Sequence, residues 1–215
     1  MKYIVPFTLL ILFLPNAYAA TGEIENRGYA LNAVIWGGLN IHVCWENFSD
    51  STTENRRWVK DAVERTWEAH SDVDFVGWVQ CNANHNHGIR IGVHDVHAPP
   101  FTLGLGNQLK GVRNGMALNF TYKNWARGCQ SYAQSCSEAI AVHEFGHALG
   151  FAHEQNRSDT PGTCLIEPIG QEGSTPVGAW DADSVMNYCN PDWDLAILSS
   201  TDIRMVRIYY SVGNN

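Results

Sequence analysis

Short stretches with two different hydrophobic periods alternate along the chain. In residues 89–93 the apolar residues Ile89, Ile91 and Val93 fall on one face with the period of a β-strand. Between Trp58 and Trp67 the apolar residues instead recur at helical spacing. The pattern predicts strands at residues 34–44, 73–81, 89–93 and 116–120, and helices through residues 58–67, 139–149 and 202–210. Since no repeat or low-complexity segment interrupts this order, we expect an α+β fold.

Two helix starts and one helix end are marked by local signals. Ser51 with Glu54, and Ser135 with Glu138, have the spacing of a capping box, which favours a helix immediately afterwards. Gly150 follows the second of these helices. Glycine readily adopts the left-handed conformation that ends a helix. We therefore expect this helix to stop at Gly150 and the chain to turn back.

Three histidines surround this predicted helix end. His143 and His147 lie one turn apart on one helix face, so both rings can reach a single metal ion. If the helix continued, the backbone of His153 would lie roughly 15 Å beyond His143. That is too far for a shared zinc ion, whose nitrogen ligands lie at about 2.0–2.1 Å. The turn at Gly150 is therefore needed to bring His153 to the same ion.

Three histidine ligands are typical of a catalytic zinc site, because they leave the fourth tetrahedral position to water. We expect one zinc ion, with His143, His147 and His153 as ligands. Glu144, next to the first ligand, is the expected general base towards the water that zinc activates. The alternative places the histidines in the core and Glu144 on a solvated helix face, and it makes the spacing a coincidence of low probability.

The residues around this motif resemble the astacin branch of the metzincin zinc metallopeptidases. The resemblance covers residues 143–159 and the later Ser184-Val185-Met186-Asn187-Tyr188, which is similar to the metzincin Met-turn. It implies that Met186 forms an apolar floor beneath the metal. It also implies that Tyr188 alternates between ligating the metal and donating to the transition-state oxyanion, and that Glu154 bonds to the mature amino terminus or its surroundings.

Two positions depart from the astacin pattern. Asn187 stands where astacins usually carry histidine, and Thr160-Pro161 replaces the usual Arg-Asp. Neither position belongs to the predicted metal ligands. The two departures affect the assignment of the chain to a subfamily of the astacins, and they leave the predicted zinc chemistry unchanged.

The resemblance also implies a metzincin-type catalytic domain. Its N-terminal subdomain, about residues 20–150, would hold a twisted mixed sheet and two long helices. An irregular C-terminal subdomain, about residues 151–215, would end in a helix, with the active-site cleft between the two. By the same resemblance the strand Met116-Ala117-Leu118-Asn119-Phe120 is the sheet edge to which an extended substrate adds. An ordinary buried or solvent-blunted strand stays open, because one sequence does not reveal edge position.

Residues 1–19 are typical of a signal peptide. Lys2 precedes apolar residues 4–14, and Ala17-Tyr18-Ala19 is a small-x-small cleavage pattern. The apolar run is too short to span a membrane. We expect a secreted or periplasmic monomer with one catalytic domain over residues 20–215 and no membrane association after cleavage. The formal net charge of -8 argues against a nucleic-acid partner.

Six cysteines follow the predicted signal peptide, and an exported protein uses them in disulfides more often than as free thiols. Fifteen pairings are possible, and sequence alone does not choose among them. Our hypothesis pairs Cys44 with Cys81, Cys129 with Cys136, and Cys164 with Cys189. The alternative, zinc ligation by thiolates, lacks the paired C-x-x-C units of such sites.

A second histidine group could hold a structural metal. It consists of His85, His87, His94 and His97, with Asp95 among them. Neighbouring asparagines fit a solvated turn equally well, and His-rich tracts bind metal only conditionally. We leave both interpretations open.

Together these observations predict a secreted zinc-dependent metalloendopeptidase acting on a protein or peptide substrate. One alternative is a zinc protease restricted to one substrate class, such as a mucinase or a toxin. The other is a non-catalytic zinc-stabilised adhesin or inhibitor on the same fold. The presence of Glu144 argues against the second alternative, because a purely structural zinc needs no general base.

Overall fold

The fold combines one mixed sheet, a second two-stranded sheet and three helices in residues 28–212, which a computed structural model describes. The predicted signal peptide lies outside these residues. The strands are β1 Gly28–Ala30, β2 Asn40–Trp45, β3 Asp74–Gln80, β4 Ile89–Val93, β5 Phe101–Thr102, β6 Met116–Leu118 and β7 Thr175–Val177. The helices are α1 Thr53–Arg65, α2 Ala133–Ala148 and α3 Ser200–Tyr210. The predicted α+β class, with a mixed sheet and helices, is confirmed.

The five-stranded sheet has the order β3-β2-β4-β6-β5. Strands β2, β3, β4 and β6 pair in parallel, and β5 pairs antiparallel with β6. Because β6 lies between β4 and β5, the expectation that residues 116–120 form the sheet edge is wrong. The edge strand on this side of the sheet is β5, and β3 forms the opposite edge. The two residues of β5, Phe101 and Thr102, follow Pro99-Pro100 and are too few to give a strand pattern.

Helix α1 packs against α2 and shows the amphipathic pattern that its sequence predicts. Val59, Ala62 and Val63 are fully buried, whereas Arg57 and Glu54 form an exposed ion pair. Neither α1 nor α2 begins with a side-chain cap: α1 follows a short 3-10 turn, and α2 begins at Ala133, before the predicted Ser135. The helices were predicted in the right places, but the proposed capping boxes do not form.

Helix α2 is the central element of the core. Every residue from Ala139 to Ala148 is buried, so this part of the helix has no solvent-exposed face. The indole nitrogen of Trp67 donates to the Val142 carbonyl at 2.8 Å, and Phe145 packs edge-on against Phe75. Contacts on all sides fix the position of α2, and with it the residues that the helix carries.

The chain after Gly150 contains little regular structure before α3. Strand β1 pairs with β7, and its Tyr29 carbonyl also accepts from Ala152 at 2.8 Å. These bonds tie the start of the described chain to the segment that follows α2. Helix α3 begins with a capping box of Ser199 and Asp202, close to the predicted start.

Three disulfides are present, and they have the hypothesised pairing. They join Cys44 to Cys81, Cys129 to Cys136, and Cys164 to Cys189. The last of these closes the irregular region between Gly150 and α3. Within residues 28–212, no helix has the length and apolar character needed to cross a membrane.

Candidate zinc site

The three predicted histidine ligands converge on one point. The Nε2 atom of His153 lies 3.1 Å from the Nε2 atoms of both His143 and His147. A tetrahedral zinc ion with nitrogen ligands at 2.0–2.1 Å separates those nitrogens by about 3.3 Å. In residues 28–212 this is the one group of three or more potential metal ligands whose donor atoms come together. The spacing of the rings therefore fits a single zinc ion.

The ring orientations also suit metal binding, because the Nδ1 atom of each ring is hydrogen-bonded to a backbone carbonyl and the Nε2 atom is left for the metal. A carbonyl oxygen can only accept, so the Nδ1 atom facing it must carry the proton and Nε2 must carry the lone pair. Burial lowers the pKa of His143 to about 3, and it also lowers the pKa of the other two rings. The Nδ1 donors reach Val185 from His143 at 2.7 Å, Phe151 from His147 at 2.7 Å, and Ile169 from His153 at 2.8 Å.

Gly150 ends α2 as predicted. Its φ angle is +97°, in the region that side chains with a Cβ rarely adopt. Its N–H donates to the His147 carbonyl at 2.9 Å, and the N–H of Phe151 donates to the Gly146 carbonyl at 3.0 Å. These two bonds form a Schellman motif, which satisfies the last carbonyls of the helix. The reversal places His153 beside the two histidines of the helix.

Glu144 is buried at the bottom of the cleft and is 4% exposed. Its Oε2 atom has no hydrogen-bond partner, which is uncommon for a buried carboxyl oxygen. Burial raises the pKa of Glu144 to about 8, and a nearby cation would favour the carboxylate again. A buried carboxyl group with a free oxygen next to the histidines matches the position that a general base requires.

Met186 packs against α2 within the histidine motif and is 1% exposed. Its sulfur contacts α2 where Gly146 has no side chain: a Cβ atom there would lie 2.3 Å from the Met186 sulfur. Gly146 is therefore a site residue that sequence reasoning missed. The glycine within the histidine motif is the available signal, because a helix interior disfavours glycine unless close packing requires it.

Asp202 of α3 holds the turn that carries Met186. Its carboxyl group accepts from the Ser184 hydroxyl at 2.7 Å and from the Val185 N–H at 2.9 Å, and it also accepts from the Ser199 N–H. Burial raises the pKa of Asp202 to about 6 although these three donors oppose the shift. Since the Val185 carbonyl orients His143, this network connects α3 to the histidine cluster.

Tyr188 lines the cleft beside the histidines. Its ring centroid lies 4.6 Å from that of His153, and its backbone N–H donates to the Gln155 side chain at 3.1 Å. Burial, followed by the charge of Glu144, raises the pKa of Tyr188 to about 12. The phenol therefore keeps its proton at neutral pH and can donate a hydrogen bond.

Glu154 is buried away from the cleft and does not face the metal position. One carboxyl oxygen accepts from the Asp181 N–H at 2.9 Å and lies 3.5 Å from the Arg157 guanidinium. Arg157 also donates to the Gly28 carbonyl at 2.6 Å. Glu154 thus reaches the start of β1 through Arg157, whereas the expected mature amino terminus lies outside the described residues.

The second histidine group does not form a cluster. His97 donates to the Asn124 carbonyl at 2.8 Å, whereas His85 accepts from the Asn82 N–H at 2.9 Å. His94 lies near Asn114, and the His87 ring contacts His42. Each ring thus has its own local partner, which favours the interpretation as solvated turns.

The cleft beside the histidines contains two cavities that share Glu144 and Tyr188. The first has a volume of about 370 Å³ and lies between α2 and the turn of Val185. The second, of about 350 Å³, lies between β5 and residues 169–171 and reaches His147 and His153. An extended chain that crosses the histidine cluster can therefore contact both cavities.

Residues 125–168, which include all three histidines, match the family model described as Astacin, a peptidase family. No curated protein matches this chain. Among solved structures, "Structure of myroilysin" is similar with a TM-score of 0.60 and 18% identity, and covers 86% of this chain and 100% of that one. A second myroilysin crystal structure has a TM-score of 0.55 and 17% identity, and covers 89% and 96% of the two chains.

A hatching-enzyme zinc protease from the medaka fish Oryzias latipes, high choriolytic enzyme 1, is 20% identical with a TM-score of 0.48, and the alignment covers 81% of this chain and 93% of that one. The myroilysin structures share the fold of this chain, and the astacin family model matches the segment that carries its histidine site. The predicted likeness to astacins is thereby confirmed over residues 125–168, and the enzyme class that this match supports is an astacin-like zinc metalloendopeptidase.

Proposed function

We propose that this protein is an exported endopeptidase that hydrolyses peptide bonds with one zinc ion held by His143, His147 and His153. The convergence of three Nε2 atoms, with every Nδ1 atom bonded to a carbonyl, carries this proposal. The astacin match over the same residues supports it. The substrate is a protein or a peptide, as for the matched peptidase family.

The catalytic roles follow from what each side chain can do. When bound, zinc supplies a Lewis acid that polarises a carbonyl and lowers the pKa of water. Glu144 accepts a proton from the attacking water and delivers it to the departing amine, for which its free Oε2 atom is suited. The phenol O–H of Tyr188 donates a hydrogen bond to the developing oxyanion, because the raised pKa of Tyr188 keeps the phenol protonated.

The residues behind the site position these groups. Met186 fills the space that Gly146 leaves on α2 and supports the histidines from below. Gly150 turns the chain so that His153 reaches the other two rings. Glu154 and Arg157 fasten the segment after α2 to β1. We assign these residues structural rather than chemical roles.

We further propose that the substrate backbone adds to β5 rather than to residues 116–120. Strand β5 is the sheet edge, and Phe101 and Thr102 line the cavity that also contains Glu144 and Tyr188. An extended peptide can pair with an exposed strand edge through its main chain. The predicted substrate strand, residues 116–120, then lies on the inner side of β5, with Met116 and Ala117 paired to it.

Export through a signal peptide over residues 1–19, followed by one catalytic domain over residues 20–215, is part of the proposal. Three disulfides support an oxidising compartment, outside the cell or in a periplasm. The division into subdomains at about residue 150 is supported by the change from regular elements to loops at that point. Monomeric behaviour stays a prediction.

The decisive experiment compares the wild type with Glu144→Ala, using zinc content and peptidase activity as separate measurements. We expect about one zinc per chain in both proteins and a loss of roughly 100- to 10,000-fold in kcat/KM for the variant, as for other general bases. Gln134→Ala, on the exposed first turn of the same helix, is the matched control and should keep full activity.

The outcomes separate the alternatives. Near-normal turnover of Glu144→Ala would show that Glu144 is not the general base. Folded protein that contains no metal after purification in the presence of zinc would show that the three histidines do not form a zinc site. Activity on a glycoprotein but not on a peptide library would indicate the substrate-restricted protease. Zinc binding with no activity on either substrate would indicate the non-catalytic protein.

A further inference from the structure

The carbonyls at the end of α2 accept hydrogen bonds from two side chains that lie outside the helix. A helix leaves its last four carbonyls without partners in the helix itself. The indole N–H of Trp36 donates to the Ala148 carbonyl at 2.7 Å, and the phenol O–H of Tyr210 donates to the Leu149 carbonyl at 2.7 Å. Ala148 and Leu149 are fully buried, so water does not readily replace either donor. Loss of either donor would therefore leave a buried carbonyl without a partner, which is unfavourable.

The two donors belong to one network. The Tyr210 hydroxyl also accepts from the backbone N–H of Trp36 at 3.3 Å, so its proton and one of its lone pairs are both used. Tyr210 is 1% exposed, and burial raises the pKa of its phenol above the ordinary value of 10.0. The phenol therefore keeps its proton at neutral pH and remains a donor to the end of α2.

This network holds the segment that leads from one histidine of the site to the next. Residues 148–149 follow His147 directly. The chain then reverses at Gly150 on its way to His153. The His147 ring in turn donates to the Phe151 carbonyl, which belongs to the same reversal. A shift of this segment would therefore move the hydrogen-bond acceptor of one ring and the backbone of another together.

Helix α3 contacts the site at both of its ends. In its first turn Asp202 accepts from the Val185 N–H, and the Val185 carbonyl orients His143. Tyr210 is the last residue of α3 and donates to the end of α2. Asp202 and Tyr210 lie roughly 12 Å apart along the helix axis at 1.5 Å per residue. One helix therefore supports the turn of Val185 and the end of α2 at the same time.

We propose that Tyr210 and Trp36 are positioning residues that preform the zinc site by fixing the end of α2 before the ion binds. The inference rests on the proposed zinc site and adds the residues that set its affinity for the metal. Neither side chain is among those that line the two cavities of the cleft, so we expect neither to touch the substrate. Ligands that are already in place do not have to be ordered when the metal binds, and the affinity is higher for that reason.

The test compares Tyr210→Phe with Tyr209→Phe, which makes the same change one residue away on the same helix. Both variants keep the aromatic ring and lose only the hydroxyl group. The Tyr209 hydroxyl donates to the Asn32 side chain at 2.6 Å rather than to α2, and Tyr209 is partly exposed. Tyr209→Phe is therefore the matched control, and it should leave zinc affinity and thermal stability nearly unchanged.

Zinc affinity is measured on the metal-free proteins by competition with a coloured chelator, at a temperature at which all variants are folded. We expect Tyr210→Phe to bind zinc roughly tenfold more weakly than the wild type, at the lower end of the effect of residues that orient metal ligands. With saturating zinc, kcat and KM should both return to near the wild-type values, because the reacting groups are unchanged. A residue that only stabilised the fold would lower the unfolding temperature without changing the zinc affinity of the folded protein.

Trp36→Phe removes the other donor and supplies the same test if Tyr210→Phe does not fold. Trp36 is half-buried, and phenylalanine keeps an aromatic ring at this position. We expect a loss of zinc affinity of similar size. The double variant should lose less than the product of the two single losses, because both side chains act in one network.

The outcomes distinguish this inference from the proposed function. If the folded wild type binds no zinc, the proposed zinc site itself is overturned. If it binds zinc but cuts no peptide, the peptidase function fails while the positioning role is still measured by zinc affinity. If the wild type binds zinc and neither folded variant, Tyr210→Phe or Trp36→Phe, binds it more weakly, only the positioning role is overturned. Equal weakening by Tyr210→Phe and Tyr209→Phe would also overturn it, because the bond to Leu149 would then not be the cause.

Discussion

The chain before Gly150 and the chain after it contribute to the same site by different physical means. The first region places His143, Glu144 and His147 on a helix that apolar packing surrounds. The second region carries His153 and Tyr188 on segments with little regular structure. Its positions are fixed by side chains bonded to the main chain, such as Gln155 on the Tyr188 N–H.

The comparison shows that precise geometry does not require regular secondary structure. Asp202 accepts three hydrogen bonds around the turn of Val185. Arg157 donates hydrogen bonds to the Gly28 carbonyl, to the Gly178 carbonyl and to the Asp159 carboxylate. Buried, directional bonds of this kind define a unique arrangement when every partner is satisfied. The geometry of the helical region should therefore be most sensitive to substitutions that change side-chain volume. The geometry of the loop region should be most sensitive to loss of a hydrogen bond or of the metal ion.

Removing zinc should have the largest effect on activity, and it should affect the stability of the two regions differently. We expect a chelator to abolish activity, because the three rings would lose the ion that they bind together. By mass action, loss of the ion also removes its contribution to stability. In hydrogen exchange we expect residues 151–199 to lose protection, while α2 keeps most of its own. Equal loss of protection in both regions would contradict the comparison.

Tyr188→Phe tests whether the loop region takes part in the chemistry. The variant keeps the ring that packs on His153 but cannot donate to the oxyanion, so kcat should fall on the order of 100- to 1,000-fold. KM and zinc content should change little. A variant with normal kcat would show that Tyr188 only packs against the histidines.

Replacing both Cys164 and Cys189 by serine should destabilise the protein more than the same change at Cys129 and Cys136. The sequence separations are 25 and 7 residues, for which chain entropy gives about 3.5 and about 2.4 kcal/mol. Urea unfolding measures the two free energies. The first variant should also lose activity, because Cys189 follows Tyr188. The reverse order of stabilities would contradict this prediction.

Asp202 should give the smallest effect, one that depends on pH. Its folded pKa of about 6 lies above its ordinary value of 3.8, so its contribution is fully present below pH 3.8 and is lost as the pH rises through 6. Asp202→Asn imitates the protonated carboxyl group. The stability difference between variant and wild type, measured by thermal unfolding in excess zinc, should favour the wild type more at pH 4 than at pH 7. A difference that does not change with pH would contradict the assigned shift.

The features predicted from the sequence are those with local causes. The spacing of His143, His147 and Gly150 depends only on helix geometry, and the cap of Ser199 and Asp202 spans three residues. The pairing of Cys164 with Cys189 agreed with the hypothesis although sequence alone could not select it. The helix end at Gly150 and the cap of α3 therefore carry enough information within a few turns of chain to be recognised, whereas the disulfide pairing was a hypothesis.

The features that were missed depend on contacts between distant segments. Strand β5 has two residues and exists because β6 lies beside it. The importance of Gly146 appears only when Met186 packs on it, and Gln155 supports Tyr188 from 33 residues away. Hydrophobic periodicity does not reveal such contacts, so the sequence predicted the three converging histidines better than the residues that support them.

The three carbonyl oxygens that orient the rings have a consequence for variation. They belong to the main chain at Val185, Phe151 and Ile169, and every amino acid has such an oxygen. Replacing those side chains leaves the proton on each Nδ1 atom in place, provided the backbone keeps its path. Mutation can therefore diversify the walls of the cleft, and with them the range of sequences cut, while the electronic state of the rings is inherited unchanged.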